Sequence, residues 1–174
     1  MNELTFRVPT TDDLEAILAL MNDPGSVHRR TTCRHAAVVE SASQLYDRLY
    51  EDENLVAESG GRVLGFASWQ TYGRHVHLNA ISVAGATQRQ GVGHALFTAF
   101  QEAAREQGAV SFSLRAYRDS DWALRFYARH GLRPVQDVVA LVRRDDGFRH
   151  YVSASMENGQ WPAEEKVVFF GDLA

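Results

Sequence analysis

The stretch AISVAGATQRQGVGHALF carries the residues whose types and spacing suit chemistry. A strand ends near Val83, and a short loop leads into a helix that starts around Gly91. A helix N-terminus presents unpaired backbone N–H groups and a partial positive charge, which together suit a phosphate anion. Gly91 and Gly93 put no side chain in the way of a pyrophosphate, and Arg89 adds a permanent cation. Two other phosphate motifs are excluded. A dinucleotide fingerprint needs a third glycine where Leu96 stands, and a P-loop needs Lys and then Ser or Thr where His94 and Ala95 stand. The remaining alternative is a glycine pair that serves only tight strand-to-helix packing.

The elements that must position this stretch can be read on either side of it. Leu4, Phe6 and Val8 alternate as a first strand, and Thr10 precedes Asp13 at capping-box spacing before the helix Leu14, Ile17, Leu18, Met21. Ser41 and Gln44 form a second capping box, followed by the apolar stripe Ala42, Leu45, Tyr46, Leu49. NLVAESGGRVLGFASWQ reads as a hairpin turning at Gly60-Gly61. RHVHLNAISV is the next strand, with an end apolar enough for burial on both faces. Val92, Leu96, Ala99, Phe100 and Ala103 mark a helix face that Gly108 terminates, and Val110, Phe112 and Leu114 alternate as a strand. Ser120 or Asp119 caps the helix WALRFYARH. VQDVVALVRR and FRHYVSASM suggest a hairpin around Asp145-Asp146-Gly147, and VVFF in the tail an extra strand or a packed segment. The expected class is α+β: a mixed, mostly antiparallel central sheet of six to seven strands flanked by about four helices. Residues 1–157 form the expected domain, and 158–174 a C-terminal extension on it.

Composition limits the partners. With 18 Lys+Arg against 22 Asp+Glu, the formal charge of -4 gives no general attraction to nucleic acid. A single cysteine, Cys33, excludes an intramolecular disulfide and a thiolate-rich zinc site. No metal is expected, since the histidines lack carboxylates at ligand spacing. No apolar run is long enough to span a bilayer, and the N-terminus lacks a signal-peptide layout, so a cytoplasmic protein without membrane contact is expected. Arg29, Arg30, Arg34, His28 and His35 gather in an acid-free loop, read either as solvated or as facing an anionic partner.

The motifs resemble those of the GNAT superfamily of N-acetyltransferases. That signature is Gln or Arg, two residues, Gly, one residue, Gly, after a strand with an aliphatic end. Here it is Gln88-Arg89-Gln90-Gly91-Val92-Gly93, preceded by Ile81-Ser82-Val83. A second family element, Asn-x-x-Ala-x-x-aromatic-Tyr followed by a glycine and an apolar residue, is matched by Ser120, Ala123, Phe126, Tyr127, Gly131 and Leu132. The resemblance covers roughly residues 4 to 156. It implies acetyl-CoA as co-substrate, with the amides of residues 89 to 94, His94 included, on its pyrophosphate. The backbone of Ile81, Ser82 and Val83 would pair with the pantetheine arm, lodged against the strand Val110–Ala116. Ser120, standing where relatives carry Asn, would keep a weaker cofactor contact.

The resemblance also implies direct acetyl transfer to a primary amine of a small-molecule or peptide acceptor in a ternary complex. A protein N-terminus, a lysine or charged tRNA would be macromolecular variants. Tyr127 is expected to donate a proton to the departing thiolate, with Phe126 serving the core instead. No acid lies between Arg74 and Gln88, where many relatives carry a glutamate base. His75 and His77 share one face of that strand and are the candidate bases, with bulk water as the alternative. The competing function is an acyl-CoA-binding sensor with weak or no transfer. A homodimer through the C-terminal strands is a further expectation.

Overall fold

The computed structural model describes residues 3–23, 41–161 and 165–173. The basic loop and Cys33 lie outside them. In chain order the elements are β1 (Thr5–Arg7), a 3-10 turn (Thr11–Asp13), α1 (Leu14–Met21), α2 (Ala42–Glu51), β2 (Glu53–Ser59), β3 (Arg62–Tyr72) and β4 (His75–Val83). A second 3-10 turn (Gly85–Thr87) leads to α3 (Val92–Glu106), β5 (Ser111–Tyr117), α4 (Asp121–Arg129), α5 (Val138–Arg144), α6 (Asp146–Glu157) and β6 (Lys166–Asp172). The six strands form one sheet in chain order. β1–β2, β2–β3 and β5–β6 pair antiparallel, and β4–β5 parallel. This is the expected α+β class. The chain divides into two compact units, Met1–Trp69 with Asn79–Ala103, and Gln70–Leu78 with Ala104–Ala174.

In the first unit, α1 and α2 bury Ile17, Leu20 and Leu45 against Val56 and Phe66. Ser41 Oγ accepts from Gln44 N (3.1 Å) and Gln44 Oε1 accepts from Ser41 N (2.9 Å), so the expected capping box starts α2. Tyr46, expected on the apolar stripe of α2, is 58% exposed. It lies about 100° around the helix from Leu45, and only Leu45 and Leu49 face inward. Asp13 accepts from Thr10 N (2.7 Å) and takes both terminal nitrogens of Arg7 (2.7 and 2.8 Å), tying β1 to the start of α1. The β2–β3 hairpin turns at Gly60 and Gly61, both with positive φ. Gly65 lets Leu96 of α3 approach: a Cβ there would stand 3.0 Å from Leu96 Cδ2. On α3, Phe100 meets Trp69 edge-on at 5.2 Å.

In the second unit, His75–Leu78 of β4 run parallel to Ser111–Leu114, and β6 pairs with β5 over its whole length. VVFF therefore lies in a sheet strand. The burial of β4 runs opposite to expectation: His75 to Leu78 are buried, whereas the residues after them are not. The expected hairpin around Asp145-Asp146-Gly147 is instead the helix pair α5–α6. Capping explains it. Asp137 Oδ1 accepts from Ala140 N (2.9 Å) to open α5, and Asp145 Oδ1 accepts from Phe148 N (2.7 Å) to open α6. Phe148, Tyr151, Val152 and Ser155 fall at helical spacing and are all buried, mostly against Leu141 and Val168. A Cβ at Gly147 would run into His75 Cβ, so only glycine lets α6 rest on β4.

Candidate active site

In the first unit, β4 ends at Val83 and the chain is fixed at once. Ala84 N donates to Leu64 O (2.9 Å), Gly85 N to Asp23 Oδ2 (2.7 Å) and Thr87 N to Ala84 O (2.9 Å). Two left-handed residues then reverse the chain, Arg89 at φ 63° and Gly91 at φ 86°. Arg89 is the only non-glycine with positive φ among the described residues. Such backbone strain is typical of functional turns. Ala95 N then reaches Gly91 O (3.0 Å), closing the first turn of α3. The amides of Val92 and Gly93 therefore stand at the open end of the helix. Arg89, Gln90, Gly91 and His94 are exposed, while Gln88 and Gly93 are half-buried. A Cβ built on Gly91 meets nothing within 4 Å. Packing does not require this glycine; its backbone angle does. Ile81, Ser82 and Val83 are half-buried and lie beyond the register that β4 shares with β5.

In the second unit, Tyr127 and Phe126 exchange their expected places. Tyr127 is 5% exposed, its ring 5.3 Å from Phe169, whereas Phe126 is half-buried beside His130. Helix phase explains it: Ala123 and Tyr127, four apart, share the buried face of α4. Burial pushes the Tyr127 phenol above its ordinary range, so it stays protonated. Ser120 is buried at the N-cap of α4 without a side-chain cap bond, and its carbonyl accepts from Leu124 N (3.0 Å).

His75 and His77 are not surface residues: they are 0% and 3% exposed. They belong to a ladder whose direction an ionised carboxylate sets. Asp145 can only accept, so Ser111 Oγ–H donates to its Oδ2 (2.7 Å). Ser111 Oγ accepts in turn from His75 Nδ1–H (2.9 Å), and His75 Nε2 accepts from Ser113 Oγ–H (2.8 Å). Ser113 Oγ takes Nδ1–H of His77 (2.8 Å). The network thus assigns both tautomers and makes His77 Nε2 the acceptor at its far end. Both rings are neutral. Burial lowers His75 to about 4 despite the opposing pull of Asp145. Burial, then Arg115, His75 and Lys166, hold His77 well below 6.5. Stacking completes the setting, with His77 on Tyr151 at 3.8 Å and His75 on Phe170 at 5.7 Å.

Sequence reasoning named the two histidines but not Ser111, Ser113, Asp145 or Tyr151. The available signal was SFS in β5, two hydroxyls at period two inside an apolar strand.

The family model described as "Acetyltransferase (GNAT) family" matches residues 16–132. No curated protein matches the sequence. Among solved structures, PaiA N-acetyltransferase from Thermoplasma acidophilum, in complex with coenzyme A, superposes with a TM-score of 0.74 at 10% identity, covering 98% of this chain and 99% of that one. The ribosomal-protein-S18-alanine N-acetyltransferase from Escherichia coli gives 0.68 at 16% identity, covering 99% and 95%. N-acetylglutamate synthase from Neisseria gonorrhoeae, complexed with coenzyme A and N-acetyl-glutamate, gives 0.68 at 16%, covering 100% of this chain and 36% of that one. At these identities the likeness establishes the fold, which agrees with the family match over most of the chain. The chain belongs to the GNAT family of acyl-CoA-dependent N-acetyltransferases.

Proposed function

We propose that this chain holds acetyl-CoA on the turn Gln88–His94 and passes the acetyl group directly to a primary amine. One observation carries the reading: a strained, exposed turn with open space over Gly91 at the start of a 15-residue helix. Amides at the start of α3 and the Arg89 guanidinium suit a pyrophosphate. Main-chain groups of Ile81–Val83, past the shared register, suit strand addition by the pantetheine arm. The buried Ser120 is retained as a weaker contact to the co-substrate.

In the reaction, the amine nitrogen forms a bond to the acetyl carbon and the C–S bond breaks. Tyr127, held protonated by burial, hydrogen-bonds the departing sulfur, or gives it the phenolic proton and regains one from solvent before the next turnover. Tyr127→Phe keeps the ring and removes only the donor. Turnover should fall roughly tenfold or more with coenzyme affinity unchanged; steady-state kinetics with coenzyme titration measure both, and unaltered turnover removes the role.

For the amine proton we propose His77 Nε2, with His75 behind it. Rings of low basicity suit passing a proton on rather than keeping it. Each hop along Ser113, His75 and Ser111 moves one proton, and Asp145 receives the last. Ser113→Ala leaves His77 in place but cuts the path. It should lower turnover and flatten the rise in rate with pH, whereas a profile identical to the parent would assign the step to solvent.

The low basicity of both histidines also favours a second reading, an acyl-CoA sensor without efficient transfer. Release of free thiol from acetyl-CoA against amino acids, polyamines, aminoglycosides and peptides decides between them. Coenzyme binding without release over the whole panel would sink the transferase reading.

A further inference from the structure

On the face of the second unit that α6 covers, two half-buried cations have no acid within ion-pair distance among the described residues. Arg115 and Lys166 are both half-buried. Lys166 lies below its ordinary range, first through burial and then through the nearby Arg115, with Glu165 opposing weakly. Among the described residues, neither forms a salt bridge within 4 Å. Arg115 instead donates Nη1 to Gln160 O (2.6 Å) and Nη2 to Gln160 Oε1 (3.3 Å), both neutral acceptors. Its guanidinium stands 5.8 Å from the ring centre of Tyr151, and Lys166 Nζ 4.9 Å from that of Tyr117.

A third group points to the same ligand. Tyr151 is 2% exposed, and among the described residues its hydroxyl has no hydrogen-bond partner of good geometry, although Ser155 and Arg115 lie near enough to influence it. Burying a polar donor unpaired costs about 1–3 kcal/mol, and burying unpaired charge costs more. Proteins keep such an arrangement when something else supplies the partner.

We propose that Arg115, Lys166 and Tyr151 form a subsite for an oxyanion, carboxylate or phosphate, carried by the amine acceptor. The proposal rests on the acetyl-transfer reading and deepens it by naming the class of acceptor. It also gives the two cations a purpose near the ladder. Arg115 and Lys166 both depress His77, so an anion seated between them offsets that effect when the acceptor arrives.

The test needs no coenzyme. Thermal unfolding of the full chain is followed while succinate, inorganic phosphate or chloride is added at constant ionic strength. The chain carries Gly91→Glu, so that the α3 turn contributes no phosphate binding. The expected result is a saturable rise in Tm with succinate, phosphate or both, absent with chloride, whose midpoint weakens about tenfold or more in Lys166→Met. Arg115→Met and Tyr151→Phe should weaken it too; Lys166→Met carries the test where Arg115→Met fails to fold. A response to one anion alone identifies the acceptor's group. A Tm that follows chloride, or a response unchanged in Lys166→Met, overturns the subsite and leaves acetyl transfer standing. Absent thiol release with an intact anion response does the reverse.

Discussion

Gly91→Glu is expected to weaken coenzyme A binding by about a hundredfold or more, near 2.7 kcal/mol, while the chain still folds. Gly91 sits at φ 86°, a conformation that costs an L-residue about 1–2 kcal/mol. No protein atom lies within 4 Å of an added Cβ, so no clash inside the fold enlarges that cost. The side chain would instead project where a pyrophosphate would come, bringing bulk and a negative charge to the positive end of α3. Arg89→Gly separates strain from charge. It relieves the left-handed arginine, which leaves Tm unchanged or higher, yet it removes a cation and should weaken binding roughly tenfold. Calorimetric titration with coenzyme A reads both variants, and parent-like affinity in Gly91→Glu would remove the turn from the binding site.

Acid should destabilise the fold through the buried imidazoles of the second unit. His75 has a folded value of about 4 against an unfolded 6.5. Below 6.5 the unfolded chain therefore binds a proton that the folded chain refuses, and stability falls as pH falls. The loss develops between pH 6.5 and about 4 and then levels off, at about 3 kcal/mol. His77 adds a loss of the same sign. The groups facing the pair are Asp145, which favours a charged His75, and Arg115 and Lys166, which oppose a charged His77. Phe148, Tyr151 and Phe170 supply the neutral walls. His75→Gln has no proton to take up. Its stability in urea, compared at pH 4.5 and 7, should vary by about 2 kcal/mol less than that of the parent. Equal pH dependence in the two proteins would show that the ring is not protonated on unfolding.

Legibility in the sequence followed how local the determining physics was. The turn at residues 88–93 could be read because glycines, a cation and a helix start are each local features. Both capping spacings were legible for the same reason, and Ser41–Gln44 bonds reciprocally. The region 136–157 was misread because VVALV fits a strand and a helix equally well. The deciding caps, Asp137 and Asp145, are single residues within a run of turn formers. Phe126 and Tyr127 were exchanged because adjacent positions on a helix can be told apart only by what packs against them, here Phe169 of β6.

By itself, the sequence determined the α+β class, the family, and the glycine-bearing turn that opens α3. Tertiary structure alone decided that His75 and His77 are neutral and interior, and that Asp145, 70 residues from His75, orients both. It also brought Arg115, Lys166 and Tyr151 to one face, with no ion pair to either cation among the described residues. The physical reason is range. Backbone angles and helix ends are set by neighbours in the chain. Desolvation and the direction of a hydrogen-bond ladder depend instead on segments that meet only when β4, β5, β6 and α6 pack together.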